Sequence, residues 1–509
     1  MIDRRHKKLF VATAIALSLL LIASFTLGIC CSVGVFGEPF ISVDLSREYQ
    51  TVDGFGASSA WRYQAFGLLD DDSIKDEAMD LLYGDDGLSM NIFRYNVGGG
   101  GVESDSYWDP QRGAESFFVA EAFDGDYSVF NDTSNYDFTR DEGVRDLFER
   151  ALSLGNIEKV VFFANSPHYL MTRNGKTHAD VPKQNNLKEE CYEAFSNYLI
   201  IITDWLYKNI VCAYDPDIEI FISPINEPQW SWGGDDASQE GCHYDAKPLA
   251  EFCDVFYRTL AEFNAANSAN YKLDIFESGS YELSKIKPYL KELSRYDWFK
   301  EIDTIFVHSY HGDLSAYTKR SFKNYMDKNF AGKNISMSEY CILTDGVDES
   351  IDTGLYSAKV MLRDLYYFNA TEWSWWLSIS NGDYEDGLVY WNVDGDGNDF
   401  LRMTKRYYTF KQFSAFATGA TRVYSKYGNN KLIDADFDQI AFKNTDGNLV
   451  LIAINSGDKE KRVRLDGVTP KHIAATVTDA NSDFETKECD FDGYLRVGAK
   501  SISTYVIEI

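Results

Sequence analysis

Short β-rich apolar runs alternate with amphipathic, helix-like stretches over most of this chain, and this alternation limits the folds it can adopt. Apolar residues recur at helical spacing in segments such as Asp141–Leu154 and Glu190–Tyr207. Runs typical of buried parallel strands lie between these segments: Val52–Ser58, Leu88–Val97, Lys159–Asn165, Ile218–Ile225, Lys272–Glu277, Ile302–Ser309, Asn334–Glu339 and Thr371–Ser378. Eight strands joined by helices predict an α/β fold, a (β/α)8 TIM barrel, over residues 51–420.

The pattern changes near residue 421, beyond which short apolar runs alternate with turn residues and no helical period remains. These runs are Asp438–Phe442, Leu449–Asn455, Val463–Leu465, Ala474–Val477 and Ser501–Ile507. They predict a small antiparallel β-sandwich attached to the barrel over residues 421–509. Residues 38–50, with the strand-like run Phe40–Leu45, are expected to add an N-terminal strand to this sandwich.

The N-terminus, residues 1–37, has the composition of an export leader. Four basic residues lie between Arg4 and Lys8, and the stretch from Leu9 to Gly37 contains no charged residue. This is compatible with a cleaved signal peptide and with a retained signal-anchor that attaches the protein to a membrane through residues 9–36. Either alternative predicts an extracytoplasmic protein, secreted or anchored at the cell surface.

The overall charge narrows the class of partner. A formal net charge of -30 and a pI of about 4.6 argue against nucleic acid or an anionic membrane surface as the main partner, because both would be repelled. A neutral substrate is more compatible with this negative net charge than an anionic partner is. The sequence has no C-x-x-C pair and no His/Cys cluster, so neither a metal nor another cofactor is expected. The oligomeric state stays open, as does any pairing of the six cysteines that follow the leader.

Polar and aromatic residues follow the ends of the predicted strands. They are Arg94-Tyr95-Asn96, Asn165-Ser166-Pro167-His168-Tyr169, Asn226-Glu227-Pro228, His308-Ser309-Tyr310-His311, Ser338-Glu339-Tyr340 and Trp375-Trp376. Barrel enzymes place their chemistry at the carboxyl ends of the strands, so these side chains are expected to line one cleft.

Two carboxylates, Glu227 after the fourth strand and Glu339 after the seventh, should face each other across this cleft. Cleavage of a glycosidic bond with retention needs one carboxyl group as acid/base and a second as nucleophile, about 5–5.5 Å away. Glu227 and Glu339 are the candidates for these roles. Arg94 and Tyr310 are expected to keep the pKa of Glu339 low, while the neighbouring anion keeps Glu227 protonated. The amide of Asn226 could bind a sugar 2-hydroxyl.

Each of these residues also has an ordinary structural interpretation. A lone strand-end glutamate is commonly a salt-bridge partner, and His308 could be a hydrogen-bonded core residue. The tryptophans could be sugar-stacking platforms or core residues; core packing is the interpretation for Trp375, whereas the cleft is favoured for Trp230, Trp232 and Trp376. A non-catalytic surface carbohydrate-binding protein would keep the aromatic residues and lose a carboxylate, and both carboxylates are present here.

At these positions the chain resembles glycoside hydrolase family 30. The resemblance rests on Asp53-Gly54-Phe55-Gly56, Arg94, Ser166-Pro167 with Tyr169, Ser223-Pro224-Ile225-Asn226-Glu227-Pro228-Gln229-Trp230, Val307-His308-Ser309-Tyr310 and Ser338-Glu339-Tyr340. It implies a retaining hydrolase with a side β-sandwich, with Glu227 as acid/base and Glu339 as nucleophile. The expected substrate-binding residues are Arg94, Asn165, Tyr169, Asn226, Trp230, His308, Tyr310 and Trp376.

Within that family the stretches Asn226–Trp232 and Gln239–Cys242 look most like the endo-β-1,6-galactanase group, which implies action on arabinogalactan side chains. The alternative is a xylan- or β-glucoside-directed member: a xylanase, a β-xylosidase or a glucosylceramidase-like enzyme. The segment Ala57–Trp61 departs from the glucosylceramidase pattern. No basic residue stands near strand eight before Arg402, which argues against recognition of glucuronoxylan. The insertion Gly98–Arg140 is expected to wall the cleft.

Overall fold

The computed structural model describes residues 17–20, 24, 38–105, 107, 109–234, 237–428 and 435–509. The leader prediction therefore lies almost entirely outside the described residues. Within them, no helix is both long and apolar enough to cross a membrane. The chain forms two compact units: one is Gln50–Ala420, and the other combines the described residues up to Tyr49 with Thr421–Ile509.

The strands are, in chain order, β1 (Phe40–Thr51), β2 (Gly54–Ser58), β3 (Ile92–Asn96), β4 (Lys159–Phe163), β5 (Glu219–Ser223), β6 (Lys272–Leu273), β7 (Glu277–Ser278), β8 (Thr304–His308), β9 (Asn334–Tyr340), β10 (Glu372–Ser380), β11 (Gly387–Val393), β12 (Asp399–Met403), β13 (Thr421–Gly428), β14 (Phe437–Lys443), β15 (Leu449–Asn455), β16 (Lys461–Asp466), β17 (His472–Thr478), β18 (Glu485–Glu488), β19 (Tyr494–Val497) and β20 (Ser501–Glu508). The α-helices outside the leader are Tyr63–Gly67, Asp72–Tyr83, Gly101–Ser104, Glu142–Ser153, Tyr192–Leu206, Cys212–Tyr214, Ala246–Asn267, Leu283–Leu293, Ala316–Asn329, Ile351–Arg363 and Lys405–Ala417.

The unit Gln50–Ala420 is the predicted (β/α)8 barrel. Its strands pair in parallel in the order β6-β5-β4-β3-β2-β10-β9-β8-β7. The terminal members β6 and β7 are two short pieces of one interrupted strand, so the order closes on itself with eight barrel strands. Each of the eight predicted runs overlaps one of them, and the interruption at residues 274–276 is the main departure from the predicted boundaries.

The helices bury the apolar faces that the sequence pattern indicates. In Glu142–Ser153 the buried residues include Val144, Leu147, Phe148 and Ala151, which recur at helical spacing. The helix Tyr192–Leu206 lies within the second predicted helical segment and continues into a π-helical turn at Tyr207–Val211. Burial of one face of each helix against the parallel strands stabilises the barrel wall.

The amino ends of the barrel strands are joined by a buried polar network. Lys159 Nζ at the start of β4 lies 2.5 Å from Glu372 Oε1 at the start of β10, and Ser336 Oγ of β9 donates to Glu372 Oε2 at 2.9 Å. The Lys159 ammonium also lies 4.0 Å from the ring centroid of Phe221. This end of the barrel therefore holds charges that pair with one another, and the opposite end carries the predicted site.

The second unit is the predicted β-sandwich, a sheet of nine strands in the order β18-β17-β20-β15-β14-β13-β1-β16-β19. Its inward-facing residues form one core that includes Ile41, Val423, Leu451, Val463 and Tyr505. The pairings β13-β14, β14-β15, β15-β20, β17-β20, β17-β18 and β16-β19 are antiparallel. The pairing of β1 with β16 is parallel and aligns Phe40 with Arg464. The N-terminal strand β1 is part of this sheet and extends further than Leu45.

One feature of the barrel loops was not predicted. A hairpin of β11 and β12 extends the sheet beyond β10, and the acidic segment Asp394–Asp399 forms its turn, where Asp394 Oδ1 accepts from the backbone N–H of Asp396 and Asn398. The predicted insertion Gly98–Arg140 contains several short helical turns in its described residues, and a backbone bridge joins Phe118 to Tyr136.

Candidate active site

A break in strand register positions the second carboxylate. Along β8 and β9, Val307 pairs with Met337, but the next residue, His308, pairs with Glu339, so Ser338 is passed over. Such a bulge re-aims the side chains that follow it. The irregularity places Glu339 beside His308 at the carboxyl end of the barrel.

The structure brings Glu227 and Glu339 together. One carboxylate oxygen of each lies within 4.8 Å of the other and of a His308 ring nitrogen. Glu227 is 6% and Glu339 4% exposed, so both carboxyl groups are nearly removed from water. Tyr310 donates its hydroxyl to Glu339 Oε1 at 3.1 Å, and Arg94 contributes N–H contacts of 3.3 and 3.4 Å to Glu339 Oε2.

His308 lies between three carboxylates. Its Nδ1 is 2.8 Å from Glu227 Oε1 and 3.6 Å from Glu339 Oε1, and its Nε2 is 3.1 Å from Glu277 Oε2. Only an imidazolium donates from both nitrogens. Burial by itself lowers the pKa of His308, but Glu339, Glu227 and Glu277 together raise it to about 10. His308 is therefore a cation at neutral pH.

Glu277, on β7, is the functional residue that sequence reasoning missed. It is fully buried and accepts from Arg94 at 2.7 Å as well as from His308. Burial acts to raise the pKa of Glu277, but Arg94 and His308 outweigh it and lower the pKa to about 2. A charged residue at the carboxyl end of the apolar fifth run was the available signal. Glu277 thus orients Arg94 and His308, which in turn face the carboxylate pair.

These charges balance if Glu227 and Glu339 share one proton. Arg94 and His308 supply two positive charges, and ionised Glu277 supplies one negative charge, which leaves one negative charge for the pair. Burial raises the pKa of Glu339 to about 7, although His308 and Arg94 oppose the shift. The expectation that Arg94 and Tyr310 keep this pKa low is therefore wrong, because removal from water outweighs both cations.

We expect activity on unactivated glycosides to fall as pH rises through about 7, because the pair then loses the proton that the leaving group requires. Because burial raises the pKa of Glu339 to about 7, the proton that the carboxylate pair shares is retained up to neutrality and lost above it. The measurement is kcat/KM from about pH 4 to about pH 9. An aryl glycoside with a good leaving group is the control, since it needs no proton; an identical alkaline limb for both substrates would contradict this prediction.

The backbone at Glu227 is held in the left-handed region, with φ of 46°. A non-glycine residue in this region costs about 1–2 kcal/mol, so surrounding contacts must hold it. The Glu227 N–H donates to the Glu277 carbonyl at 2.8 Å, and Trp232 Nε1 donates to the Glu227 carbonyl at 2.7 Å. Gly279 permits this packing, since a Cβ there would lie 2.7 Å from Glu227 Oε1. The predicted cleft residue Trp232 thus supports the Glu227 backbone.

An amide chain runs along the ends of β3, β4 and β5. Asn226 Nδ2 donates to Asn165 Oδ1 at 3.1 Å, and Asn165 Nδ2 donates to Asn96 Oδ1 at 3.0 Å. Among the described residues, the buried Asn226 Oδ1 has no hydrogen-bond donor. Asn165 thus orients the Asn226 amide and leaves its oxygen available to a ligand hydroxyl.

The predicted aromatic residues divide between the cleft and the core. Trp376 meets Trp61 edge-to-face at 5.8 Å and lies 6.0 Å from the Arg94 guanidinium. Trp230 contacts His311 edge-to-face at 5.2 Å. Trp375 is 1% exposed and belongs to the core, in agreement with its predicted role.

Tyr169 lies against the glycine run rather than within the carboxylate network. Its ring stacks on His168 at 4.7 Å, and its N–H donates to Gly99 O at 2.9 Å. The same run is held by Glu240, a fully buried residue that was named only for its resemblance to the galactanase group. Glu240 accepts from Gly99, Gly101 and Ala114 N–H groups at 2.9–3.2 Å, and burial raises its pKa to about 7.

Glu227, His308 and Glu339 also have the spacing of a metal-binding group. However, both His308 nitrogens donate to carboxylates, so neither has a lone pair for a cation. Arg94 further neutralises Glu339. The residues therefore fit a proton-sharing network better than a metal site.

Comparison with known families agrees with this geometry. The model for O-glycosyl hydrolase family 30 matches residues 38–390, and the model for the family 30 beta sandwich domain matches residues 419–505. The chain belongs to glycoside hydrolase family 30. It is accordingly a glycoside hydrolase.

Individual relatives are distant. An endo-beta-1,6-galactanase of Hypocrea rufa is 24% identical over 408 residues, 74% of each chain. An exo-beta-1,6-galactobiohydrolase of Bifidobacterium longum is 26% identical over 261 residues, which are 40% of this chain and 16% of that protein. The crystal structure of a conserved exported protein from Bacteroides fragilis aligns with a TM-score of 0.76 at 22% identity and covers 92% of this chain and all of that one. This structural likeness shows the fold.

Proposed function

We propose that this family 30 enzyme is an exported, retaining endo-β-1,6-galactanase that acts on arabinogalactan side chains. The observation that carries the catalytic part is the approach of Glu227 and Glu339, whose carboxylate oxygens come within 4.8 Å of each other. This approach is close to the spacing of about 5–5.5 Å that retaining enzymes use, and shorter than the inverting range of about 6.5–9.5 Å.

In the first step Glu227 protonates the glycosidic oxygen while Glu339 attacks the anomeric carbon. The bond to the leaving sugar breaks, and a glycosyl ester forms on Glu339. Glu227, now ionised, takes a proton from water, which attacks the anomeric carbon and releases Glu339. Two displacements at the same carbon return the β configuration.

The surrounding residues serve this exchange of charge. Arg94 and His308 stabilise the negative charge that moves between the two carboxyl groups, and Glu277 holds both cations in place. Asn226 Oδ1 lies where it can accept from a sugar hydroxyl. Trp376 and Trp61 supply apolar ring surface at the same cleft.

Different observations support the proposed substrate and the proposed location of the enzyme. The two curated relatives described above carry names that refer to β-1,6-linked galactose, and Asn226–Trp232 with Gln239–Cys242 resemble the galactanase group. Export is supported by the basic and then uncharged N-terminal stretch. Retention of that stretch as a membrane anchor remains the alternative to cleavage.

The test is a substrate panel with the leaderless protein: β-1,6-galactan, arabinoxylan, glucuronoxylan, β-1,6-glucan and aryl glycosides. We expect β-1,6-galacto-oligosaccharides of several lengths from the galactan, because an endo enzyme cleaves internal bonds. Release of a single short product would indicate action from a chain end. Cleavage of another polymer alone would overturn the galactan assignment, and proton NMR of the first product tests retention.

A further inference from the structure

A cavity of about 730 Å³ adjoins the nucleophile. It is formed by the segments that follow β8 and β9 and by the helix Ile351–Arg363. Tyr310 lines this cavity, and its hydroxyl donates to Glu339 Oε1. The cavity and the catalytic pair thus share Tyr310 as a common wall.

The polar lining of the cavity carries one sign of charge. Tyrosine, cysteine and histidine side chains line part of the cavity. The other ionisable residues that line it are all carboxylates: Asp313, Asp345, Asp348, Asp352 and Glu385. Asp313 Oδ2 accepts from the hydroxyls of Tyr340 at 2.9 Å and Tyr356 at 2.7 Å. The buried Arg406 lies behind the cavity lining, 3.6 Å from Glu385, and compensates that residue. Asp345 and Asp348, both exposed, remain as negative charges toward the cavity.

The same cavity also has an apolar surface, formed by residues other than its carboxylates. Leu343 is 55% and Tyr356 38% exposed, and both rank among the large hydrophobic side chains that the fold leaves accessible. Exposed rings and aliphatic groups next to a catalytic centre are typical of ligand contact. A sugar presents apolar C–H faces and hydroxyl donors, and this lining offers a surface for the former and acceptors for the latter.

We propose that this cavity is a saccharide subsite that takes a neutral hexose unit of the substrate chain and excludes a uronate-bearing unit. The inference rests on the proposed function. Hydroxyl groups donate to Asp345 and Asp348, whereas a uronate adds a further negative charge to a partly enclosed space that carboxylates already line. Exclusion therefore weakens as salt screens the charges.

The test measures binding to the full-length Glu339→Gln protein, in which the ligand is not consumed. The probes are a neutral β-1,6-galacto-oligosaccharide and the same oligosaccharide carrying glucuronate at either end. We expect the neutral probe to bind at least about tenfold more tightly than one of the acidic probes, and Asp345→Asn with Asp348→Asn to reduce this ratio to about threefold or less. Asp297→Asn with Asp458→Asn, at two highly exposed carboxylates outside the cavity, is the charge-matched control and should leave the ratio unchanged.

Tyr356 tests the apolar part of the subsite. Tyr356→Ala should weaken binding of the neutral probe by about tenfold, while Tyr356→Phe, which keeps the ring, should change it by less than about threefold. If the two Asp substitutions leave the ratio unchanged in the Glu339→Gln protein, while the enzyme with Glu339 intact cleaves the neutral glycan, the subsite is overturned and the proposed function stays intact. Failure of the wild-type enzyme to cleave any glycan of the panel overturns the proposed function, and this inference with it.

Discussion

Replacement of Glu339 by Gln is expected to lower kcat by at least about 10³-fold, which corresponds to about 4 kcal/mol of transition-state stabilisation. An amide oxygen does not form the glycosyl ester, so the first displacement is lost. The loss should be equal for oligosaccharides and for activated aryl glycosides, because both need the same nucleophile. Initial rates with both substrate types provide the measurement.

The fold should survive this substitution. Gln has nearly the same shape as Glu and retains an acceptor for the Tyr310 hydroxyl. Since burial raises the pKa of Glu339, removal of its ionisable group should not lower the melting temperature. Wild-type turnover in a correctly folded Glu339→Gln protein would show that the nucleophile is elsewhere.

Replacement of Glu227 by Gln is expected to slow hydrolysis of unactivated glycosides by about 10²–10⁴-fold, the range of general acid–base catalysis. Aryl glycosides with good leaving groups should retain glycosylation of Glu339, because their departure needs no proton. Release of the second product should then become slow, since water lacks its base. The measurement is a burst of aryl alcohol followed by a slow steady state.

Azide separates the acid/base role from a general loss of structure. This anion attacks the glycosyl ester without base assistance, so it should accelerate the slow phase of Glu227→Gln and give a β-glycosyl azide. The same addition should not restore Glu339→Gln, in which no ester forms. Equal loss on activated and unactivated substrates, without azide rescue, would contradict the assignment of Glu227.

Much of the barrel was predictable because its local signals agree with its tertiary structure. A strand such as β4 is buried on both faces and therefore reads as a continuous apolar run, and Glu142–Ser153 shows its buried stripe in sequence. In the hairpin that was missed, β12 carries charged and accessible residues, whereas β11 is uncharged and its residues Gly387–Tyr390 are buried. The fifth barrel strand was placed, but its interruption between Leu273 and Glu277 contains neither Gly nor Pro, and Asp274 is its single turn-favouring residue.

The site was predictable where function requires a particular residue type at a strand end. Glu227 and Glu339 are identifiable because each ends a strand beside other polar residues. Glu277 was missed because its role depends on neighbours distant in the chain: Arg94 is 183 residues away and His308 is 31 residues away. The direction of the Glu339 pKa was missed for a related reason, since burial can be assessed only in the folded protein.

The sequence by itself determined the strand and helix pattern, the separate C-terminal sandwich and the identity of the facing carboxylates, because these depend on local periodicity and on residue type. The tertiary structure decided the skipped residue at Ser338, the left-handed backbone at Glu227 and the proton balance among Arg94, His308 and Glu277. These properties arise from contacts between distant segments and from exclusion of water. Neither these contacts nor the exclusion of water exists until the barrel has closed.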